Sequence, residues 1–222
     1  MEEQMIKAIL FDVYGTLIST GSGSVDSAKR ILEKNNSDID PKEFYAHWKQ
    51  LHKRNMRAGT FIPEREIFGM DLHELYEYYH ISGDYMSDVK IMLDSLYNRN
   101  AFDETKAVLE KLSDKYTLIL ASNTDTEPLL QNFEYNDLQF DKVFTSELLK
   151  CYKPDENFYC RILDEIACSA DEVVFVGDSG EEDVVAPKKV GMTTVWVDRK
   201  NKEGNFGQDY TVGNLSELLD IF

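Results

Sequence analysis

The chain of 222 residues has few cysteines and few basic side chains. Its three cysteines, Cys151, Cys160 and Cys168, form no Cys-x-x-Cys pair, so we expect a reducing compartment and no disulfide framework. Only 24 Lys and Arg residues stand against 41 Asp and Glu, and the formal net charge is −17. Because binding to nucleic acids and to anionic membranes depends on Lys and Arg, we expect neither kind of partner.

Long hydrophobic runs are also missing. The first apolar run follows Glu2 and Glu3 and ends at Phe11, which predicts neither a signal peptide nor a membrane span. A cytoplasmic protein is therefore expected. The hydrophobic content of 42% is ordinary, and the length suits one large domain or a core with an inserted subdomain.

After a first strand near the N-terminus, strand and helix patterns alternate from about residue 103 onward. Strands are predicted at 6–11, 116–121, 142–144, 172–176 and 193–197, and helices at 103–113, 125–134, 155–167, 181–190 and 215–221. This alternation predicts an α/β fold with a parallel sheet covered on both faces. Between the first two strands the patterns are only helical, at 24–35, 41–57, 63–79 (with a break near Gly69) and 84–97. We therefore predict a core of 1–17 and 98–222 with a helical insertion of 18–97.

Four distant segments each place a polar residue just beyond a predicted strand. They are marked by Asp12, Ser122, Lys153 and Asp178. In an open parallel sheet the carboxyl ends of the strands share one edge, and ligands bind in the crevice there. The four side chains are therefore expected to converge into a site for covalent catalysis around a metal and an anion.

Asp12 is the candidate nucleophile, because an isolated buried carboxylate is costly and packing explains it poorly. The alternative is that Asp12 caps a turn. Gly15 permits a tight turn after it, and Thr16 is a candidate hydrogen-bond donor to the reacting group.

The other segments fit an anion and a hard cation. Ser122 and Asn123 are placed to hold an anion at a helix start, or to cap that helix. Lys153 would neutralise charge beside Asp12, or would be an ordinary surface lysine. Asp178 and Asp183, five residues apart, form an acidic pocket suited to Mg²⁺, unless they only cap a helix with an acidic first turn.

Together these motifs resemble the haloacid dehalogenase superfamily of hydrolases across residues 6–197. The motifs and their order match, and they are Asp12-x-x-Gly15-Thr16-Leu17, Ser122-Asn123, Lys153-Pro154 and Gly177-Asp178-Ser179-x-x-x-Asp183. The resemblance implies a Rossmann-like, three-layer core and a helical cap inserted after the first motif. It also implies catalytic roles: Asp12 is the nucleophile, Thr16, Ser122 and Asn123 orient the bound group, and Lys153 stabilises charge. For the metal, it implies that Asp12, the Tyr14 carbonyl and Asp178 hold Mg²⁺, with Asp183 supporting through water.

One departure from the phosphatases of this superfamily concerns the general acid and base. They usually carry a second Asp two residues after the nucleophile, where this chain has Tyr14. Tyrosine has an unperturbed pKa of about 10 and is a poor base near neutral pH. The sequence Asp-x-Tyr-Gly-Thr-Leu instead resembles the 2-haloacid dehalogenase branch, and Tyr159 matches a tyrosine of the dehalogenase site.

Other positions oppose the dehalogenase interpretation. Dehalogenases need no metal, and their fourth motif is less acidic than Gly177-Asp178-Ser179. Their cap arginine, which receives halide after a tryptophan, is replaced here by Lys49 after Trp48. Lysine is not equivalent to arginine, because its ammonium is compact and strongly hydrated.

Three hypotheses follow. The leading one is a Mg²⁺-dependent phosphatase that acts on a small anionic metabolite through an aspartyl-enzyme intermediate. The second is a metal-independent 2-haloacid dehalogenase, and the third is a non-catalytic ligand- or metal-binding protein. Tyr14, Lys49 and Tyr159 are the candidates for substrate contact, and the composition permits a monomer or a homodimer.

Overall fold

The computed structural model describes residues 5–222 and contains a parallel six-stranded sheet, in the order β3-β2-β1-β4-β5-β6. The strands are β1 (Ala8–Phe11), β2 (Thr117–Ser122), β3 (Lys142–Thr145), β4 (Val173–Gly177), β5 (Thr193–Val197) and β6 (Tyr210–Val212). The predicted α/β fold with a parallel sheet is confirmed. The short strand β6 was not predicted, because three residues carry too little periodicity to separate a strand from a loop.

Nine α-helices are present among the described residues. They are α1 (Gly23–Lys34), α2 (Pro41–Met56), α3 (Glu64–Tyr79), α4 (Tyr85–Asp94), α5 (Thr105–Ser113), α6 (Thr126–Asn136), α7 (Ser146–Leu149), α8 (Glu156–Ile166) and α9 (Ala186–Lys189). Two 3-10 helices (Ala170–Glu172 and Leu215–Asp220) and a π-helix (Gly180–Val185) complete the set. No helix in this range is long and apolar enough to cross a membrane.

Several predicted helices differ from the structure. The break predicted near Gly69 is wrong, since α3 runs through that residue. The helix predicted at 181–190 begins as the π-helix and continues as α9, and the last predicted helix is 3-10. The four-residue α7 was missed because one turn gives no hydrophobic period.

The chain divides into two compact units. One contains the sheet and comprises the segment that ends at Ser19, Asn100–Asn123 and Phe133–Phe222; the other comprises Thr20–Arg99 and Thr124–Asn132. We call them the sheet unit and the helical unit. The helical unit includes the start of α6, which the sequence interpretation assigns to the core. The role of the helical unit as a cap stays a prediction.

The sheet is buried on both faces, as its strand sequences require. All four residues of β1 and all five of β4 are buried, and continuous apolar runs are typical of parallel strands. On one face Leu10 and Phe175 pack with Phe158 and Ile162 of α8. The helix α5 also contacts β2. The central strands are therefore held rigidly, and so are the residues that follow them.

The helical unit has its own hydrophobic core, built from α1 to α4. The start of α2 is fixed by local chemistry: the Asp40 carboxylate accepts hydrogen bonds from the backbone N–H groups of Lys42 (2.8 Å) and Glu43 (3.0 Å), and Pro41 occupies the first turn. The core side chains come from all four helices and include Ile31, Phe44, Trp48, Phe68, Leu72, Leu75 and Met92.

A buried polar network joins α2 to α3 within this unit. Asp71 is fully buried and accepts hydrogen bonds from Trp48 Nε1 (3.0 Å) and Asn55 Nδ2 (2.7 Å). Nδ1 of His52 lies 2.7 Å from Asp71, and its Nε2 lies 3.5 Å from Glu64. Burial opposes protonation of His52, but the hydrogen bonds with Asp71 and Glu64 outweigh it and raise its pKa to about 9. His52 is therefore a cation at neutral pH.

This network predicts a loss of stability in mild alkali. The folded pKa of His52, about 9, lies above the ordinary value of 6.5. The added stability is therefore fully present below pH 6.5 and disappears as the pH rises through 9. We expect the free energy of unfolding to fall by about 3 kcal/mol over this range relative to a His52→Gln variant. Urea unfolding followed by circular dichroism at pH 6 to 9.5 measures it.

The matched control is His73→Gln, because His73 is half-exposed and pairs with Glu77 at 3.6 Å on the surface of α3. Its stability should follow that of the wild type at every pH. Parallel curves for the wild type and His52→Gln would contradict a charged His52.

Candidate active site

The site lies where the sheet changes its direction of winding. From the central strand β1, the chain builds β2 and β3 on one side and β4, β5 and β6 on the other. Phe11 of β1 is paired with Val176 of β4, so Asp12 and Asp178 emerge beside each other at the carboxyl edge. Crevices at such switch points are the usual ligand sites of open α/β sheets.

The ammonium of Lys153 is the centre of the site. Nζ lies 2.8 Å from Asp12 Oδ1 and 2.7 Å from Asp183 Oδ1, and the lysine side chain is 1% exposed. Burial alone would lower the pKa of Lys153, but the charges of Asp12 and Asp183 raise it well above its ordinary value. Lys153 therefore stays charged and holds the two carboxylates in place.

The route by which Lys153 arrives differs from the prediction. Lys153 does not directly follow a strand: β3 ends at Thr145, and α7 intervenes. Ser122 likewise is the last residue of β2 rather than the first beyond it. Lys153 reaches the sheet edge because the Asn123 side chain binds its backbone on both sides, accepting from its N–H (2.7 Å) and donating to its carbonyl (3.0 Å).

Three carboxylates form an acidic cluster. Asp12, Asp178 and Asp183 each offer one oxygen within 4.8 Å of the others. Both oxygens of Asp183 already have donors, Lys153 and the backbone N–H of Ser179 at 2.9 Å. No donor among residues 5–222 reaches the carboxylate of Asp178. Burial, followed by the charge of Asp12, raises the pKa of Asp178 to about 6.

This donor set fits a hard divalent cation. Mg²⁺ takes oxygen ligands and binds through one or two carboxylates. Asp178 is the open ligand, Asp12 is its neighbour, and Asp183 is held by Lys153 and Ser179 as a support. A cation here would replace the repulsion between Asp12 and Asp178 with attraction.

Two glycines allow these groups to come so close. Gly15 has a φ of +99°, and a Cβ there would lie 2.5 Å from Asp178 Oδ2. A Cβ on Gly177 would lie 2.4 Å from the Asp183 carboxyl carbon. Both contacts are shorter than any side chain tolerates, so the motif positions of Gly15 and Gly177 have a steric cause.

Two further predicted residues, Thr16 and Tyr159, are buried and make defined hydrogen bonds. Thr16 is fully buried, and its hydroxyl donates to Asp12 Oδ2 at 3.1 Å. Tyr159 is also fully buried; it packs against Phe175, and its hydroxyl donates to the backbone carbonyl of Glu182. Burial raises the pKa of Tyr159 above its ordinary value. Tyr159 thus supports the site from below the surface.

Two predicted substrate contacts stay predictions. Tyr14 is partly exposed, in the turn after β1. Lys49 is exposed on α2 of the helical unit, where its ammonium lies 4.9 Å from the centre of the Tyr45 ring.

One participant was missed by the sequence analysis. Glu182 accepts from Asn123 Nδ2 at 3.3 Å and, through its backbone carbonyl, from Tyr159. It therefore links Asn123, at the end of β2, to Tyr159 of α8. The available signal is its place inside the fourth motif, directly before Asp183.

Comparisons with known proteins identify the family of the chain. The profile of the haloacid dehalogenase-like hydrolases matches residues 9–197. Since the match covers most of the chain, the protein belongs to this family, and the resemblance seen in the motifs is confirmed.

Its relatives include both phosphatases and dehalogenases. Pyrimidine 5′-nucleotidase PynA of Streptococcus pneumoniae is 27% identical over 237 residues, which cover 96% of this chain and 94% of PynA. (S)-2-haloacid dehalogenase 4A of Burkholderia cepacia is 26% identical over 230 residues, with coverage of 97% and 94%. Among solved structures, the magnesium-bound HAD-hydrolase YfnB of Bacillus subtilis matches with a TM-score of 0.83 at 19% identity, covering 98% of each chain.

The buried lysine predicts a large effect on stability. Lys153→Met would leave the Asp12 and Asp183 carboxylates without their cation. We expect a destabilisation of about 3–5 kcal/mol in urea unfolding, because a broken buried ion pair leaves uncompensated charge. The double variant Lys153→Met/Asp183→Asn should recover part of this loss.

The control is Lys142→Met, since Lys142 is exposed and only donates to the carbonyl of Glu165 at 2.9 Å. It should change stability by less than about 0.5 kcal/mol. Equal stabilities for Lys153→Met and Lys142→Met would show that the lysine does not hold the cluster together.

Proposed function

We propose that the protein is a Mg²⁺-dependent phosphatase of a small phosphorylated metabolite and that Asp12 is its nucleophile. One observation carries the proposal: the three carboxylates Asp12, Asp178 and Asp183 converge, and the Asp178 carboxylate has no donor among residues 5–222. A dehalogenase that works without a metal has no use for such an open acidic group. A phosphatase needs a cation between its nucleophile and the anionic substrate.

Asp12 is oriented for in-line attack by its two partners. Lys153 binds Oδ1 at 2.8 Å and Thr16 binds Oδ2 at 3.1 Å, so the carboxylate cannot rotate freely. An oxygen of Asp12 attacks phosphorus, the phosphorus–oxygen ester bond breaks, and the electron pair leaves with the alcohol oxygen, which takes a proton. Water then attacks the phosphoryl group and releases inorganic phosphate and Asp12.

The charge balance depends on the cations of the site. Mg²⁺, when bound, would offset the charge between Asp12 and the phosphoryl oxygens; Asp12, Asp178 and the Tyr14 carbonyl are its proposed ligands, and Asp183 supports them. Lys153 supplies one permanent positive charge at the nucleophile. Ser122, at the end of β2, and Asn123, which binds the backbone of Lys153, would orient the transferred group.

The names of the relatives are consistent with a phosphate ester as substrate. The pneumococcal relative is named as a pyrimidine 5′-nucleotidase. A second relative, a glyceraldehyde 3-phosphate phosphatase of Methanocaldococcus jannaschii, is 38% identical over 85 residues, which are 37% of each chain.

Tyr14 makes the second chemical step the slower one. A phosphatase of this family normally activates water with an Asp at this position, and tyrosine is a weak base near neutral pH. We therefore propose slow hydrolysis of the aspartyl intermediate.

A 2-haloacid dehalogenase is the second candidate, favoured by Tyr14 and by the full-length match to the Burkholderia enzyme. In this reaction Asp12 attacks the carbon that carries the halogen, and halide leaves with the bonding electron pair. Lys49 of the helical unit would replace arginine as the halide-binding cation.

Metal dependence separates the two functions. We expect the wild type to release phosphate from p-nitrophenyl phosphate with Mg²⁺ and to lose at least 90% of that rate, roughly tenfold, in EDTA, because the acidic cluster then repels the phosphoryl group. Halide release from 2-chloropropionate, measured in the same two buffers, should stay at background.

Asp12→Asn is the blank, since it keeps the shape of the side chain but removes the nucleophile. Halide release that persists in EDTA and is abolished by Asp12→Asn would reject the phosphatase hypothesis in favour of the dehalogenase hypothesis. Tight Mg²⁺ binding without turnover of either substrate would support the hypothesis of a non-catalytic binding protein.

Tyr14→Asp should raise turnover. A carboxylate at this position can activate water and protonate the leaving oxygen, and such general acid–base catalysis contributes roughly 10²-fold or more. The measurement is kcat on the same aryl phosphate with Mg²⁺, with Tyr14→Asn as the control for size and polarity. Lower activity in Tyr14→Asp than in Tyr14→Asn would refute the proposal that the wild type lacks a general base at position 14.

A further inference from the structure

The loop that carries the nucleophile is held from its outer side. Within the loop, the carbonyl of Val13 accepts from the N–H groups of Leu17 (2.8 Å) and Ile18 (2.9 Å), which makes a closed turn. The carbonyl of Leu17, four residues further on, accepts from the N–H of Phe102 (3.1 Å) and the hydroxyl of Thr105 (2.9 Å). The position of this turn is therefore set by residues distant in sequence.

Arg199 makes a further contact with this turn. It follows β5, and its Nη2 donates to the backbone carbonyl of Thr16 at 2.8 Å. Its Nη1 lies 2.8 Å from Glu104, and the guanidinium carbon lies 3.6 Å above the centre of the Phe102 ring. The planar fork thus binds a carboxylate and a peptide carbonyl while stacking on an aromatic face.

A gain in stability does not explain why Arg199 occupies this position. The side chain of Arg199 is 16% exposed, and its Nε is buried without a hydrogen-bond partner among the described residues. A buried unsatisfied donor opposes folding. Glu104 accepts from the N–H of Leu215 (3.4 Å) as well as binding Arg199, so the guanidinium is itself fixed in one orientation.

We propose that Arg199 is a positioning residue for the nucleophile Asp12, acting through Thr16. The inference rests on the proposed role of Asp12. Thr16 has two contacts of opposite direction: its carbonyl accepts from Arg199, and its hydroxyl donates to Asp12 Oδ2. Arg199 therefore sets the position of the residue that orients the attacking carboxylate.

Displacement reactions tolerate little error in the position of the nucleophile. Without Arg199, the Thr16 carbonyl loses its charged donor. The turn then keeps its contacts on either side of Leu17, from Phe102 and Thr105 to the Leu17 carbonyl and from the N–H of Ser19 to the carbonyl of Asn100 (2.9 Å), but none at Thr16 from a charged group. The hydroxyl of Thr16 then moves relative to Asp12. A misplacement of about 1 Å at a nucleophile can cost roughly 10²-fold in rate, whereas ground-state binding of the substrate is little affected.

Two measurements test the role of Arg199. Hydrogen–deuterium exchange of the peptide 12–18 reports the turn directly and needs no activity. We expect the amides of Leu17 and Ile18 to exchange about tenfold faster in Arg199→Met. With p-nitrophenyl phosphate and Mg²⁺, we expect kcat to fall about tenfold or more with KM unchanged within about twofold.

Three further variants define the effect. Arg199→Lys keeps a charge for Glu104 but lacks the fork, and it should recover only part of kcat. Glu104→Gln removes the ion pair that orients Arg199 and should shift exchange in the same direction, which keeps the test decisive if Arg199→Met does not fold. Lys115→Met is the matched control, because Lys115 also donates to a backbone carbonyl, that of Phe222 at 3.0 Å.

The outcomes are distinct. Faster exchange in 12–18 with a loss confined to kcat supports the proposal. Exchange at the wild-type rate in both Arg199→Met and Glu104→Gln overturns it, as does a loss confined to KM. A wild type that releases neither phosphate nor halide would reject the proposed function, and the exchange data would still decide whether Arg199 holds the turn.

Discussion

The site depends on one ammonium ion buried between two carboxylates. Lys153 contacts Asp12 and Asp183 at 2.8 and 2.7 Å; Asp12 directly follows β1, and Asp183 lies in the π-helix after β4. Burying three charges is costly unless each is paired, and here the pairing is shared. The same contact orients the Asp12 carboxylate, so the interaction that stabilises the centre also positions the proposed nucleophile.

The sheet makes this arrangement possible because it is rigid and parallel. The strands β1 and β4 are adjacent and buried on both faces, so Asp12 and Asp178 leave the sheet at one level. Gly15 and Gly177 then remove the Cβ atoms that would keep the acidic groups apart. A second set of contacts, from Asn123 to Lys153 and from Arg199 to Thr16, fixes the loops that no strand holds directly.

The choice between the two chemistries depends on two neighbouring features of the sheet edge. The open carboxylate of Asp178 suits a cation, and with it a phosphoryl group. Tyr14 suits a reaction that needs no carboxylate two residues after the nucleophile. In the family to which the chain belongs, these features are usually found in different enzymes, and their coexistence here is consistent with a phosphatase whose second step is slow.

The parallel α/β fold and most of the residues that converge at the sheet edge can be read from the sequence, because strand runs and short motifs are local patterns. The sequence also indicated that Asp12 and Asp178 lie together, since all parallel strands end at the same edge. It misplaced Lys153 and Ser122 relative to the strands and overlooked Glu182 and Arg199. These points are fixed by long-range contacts. A hydrogen bond such as that from Arg199 to Thr16 joins residues 183 positions apart, and no local pattern records which distant carbonyl a guanidinium meets.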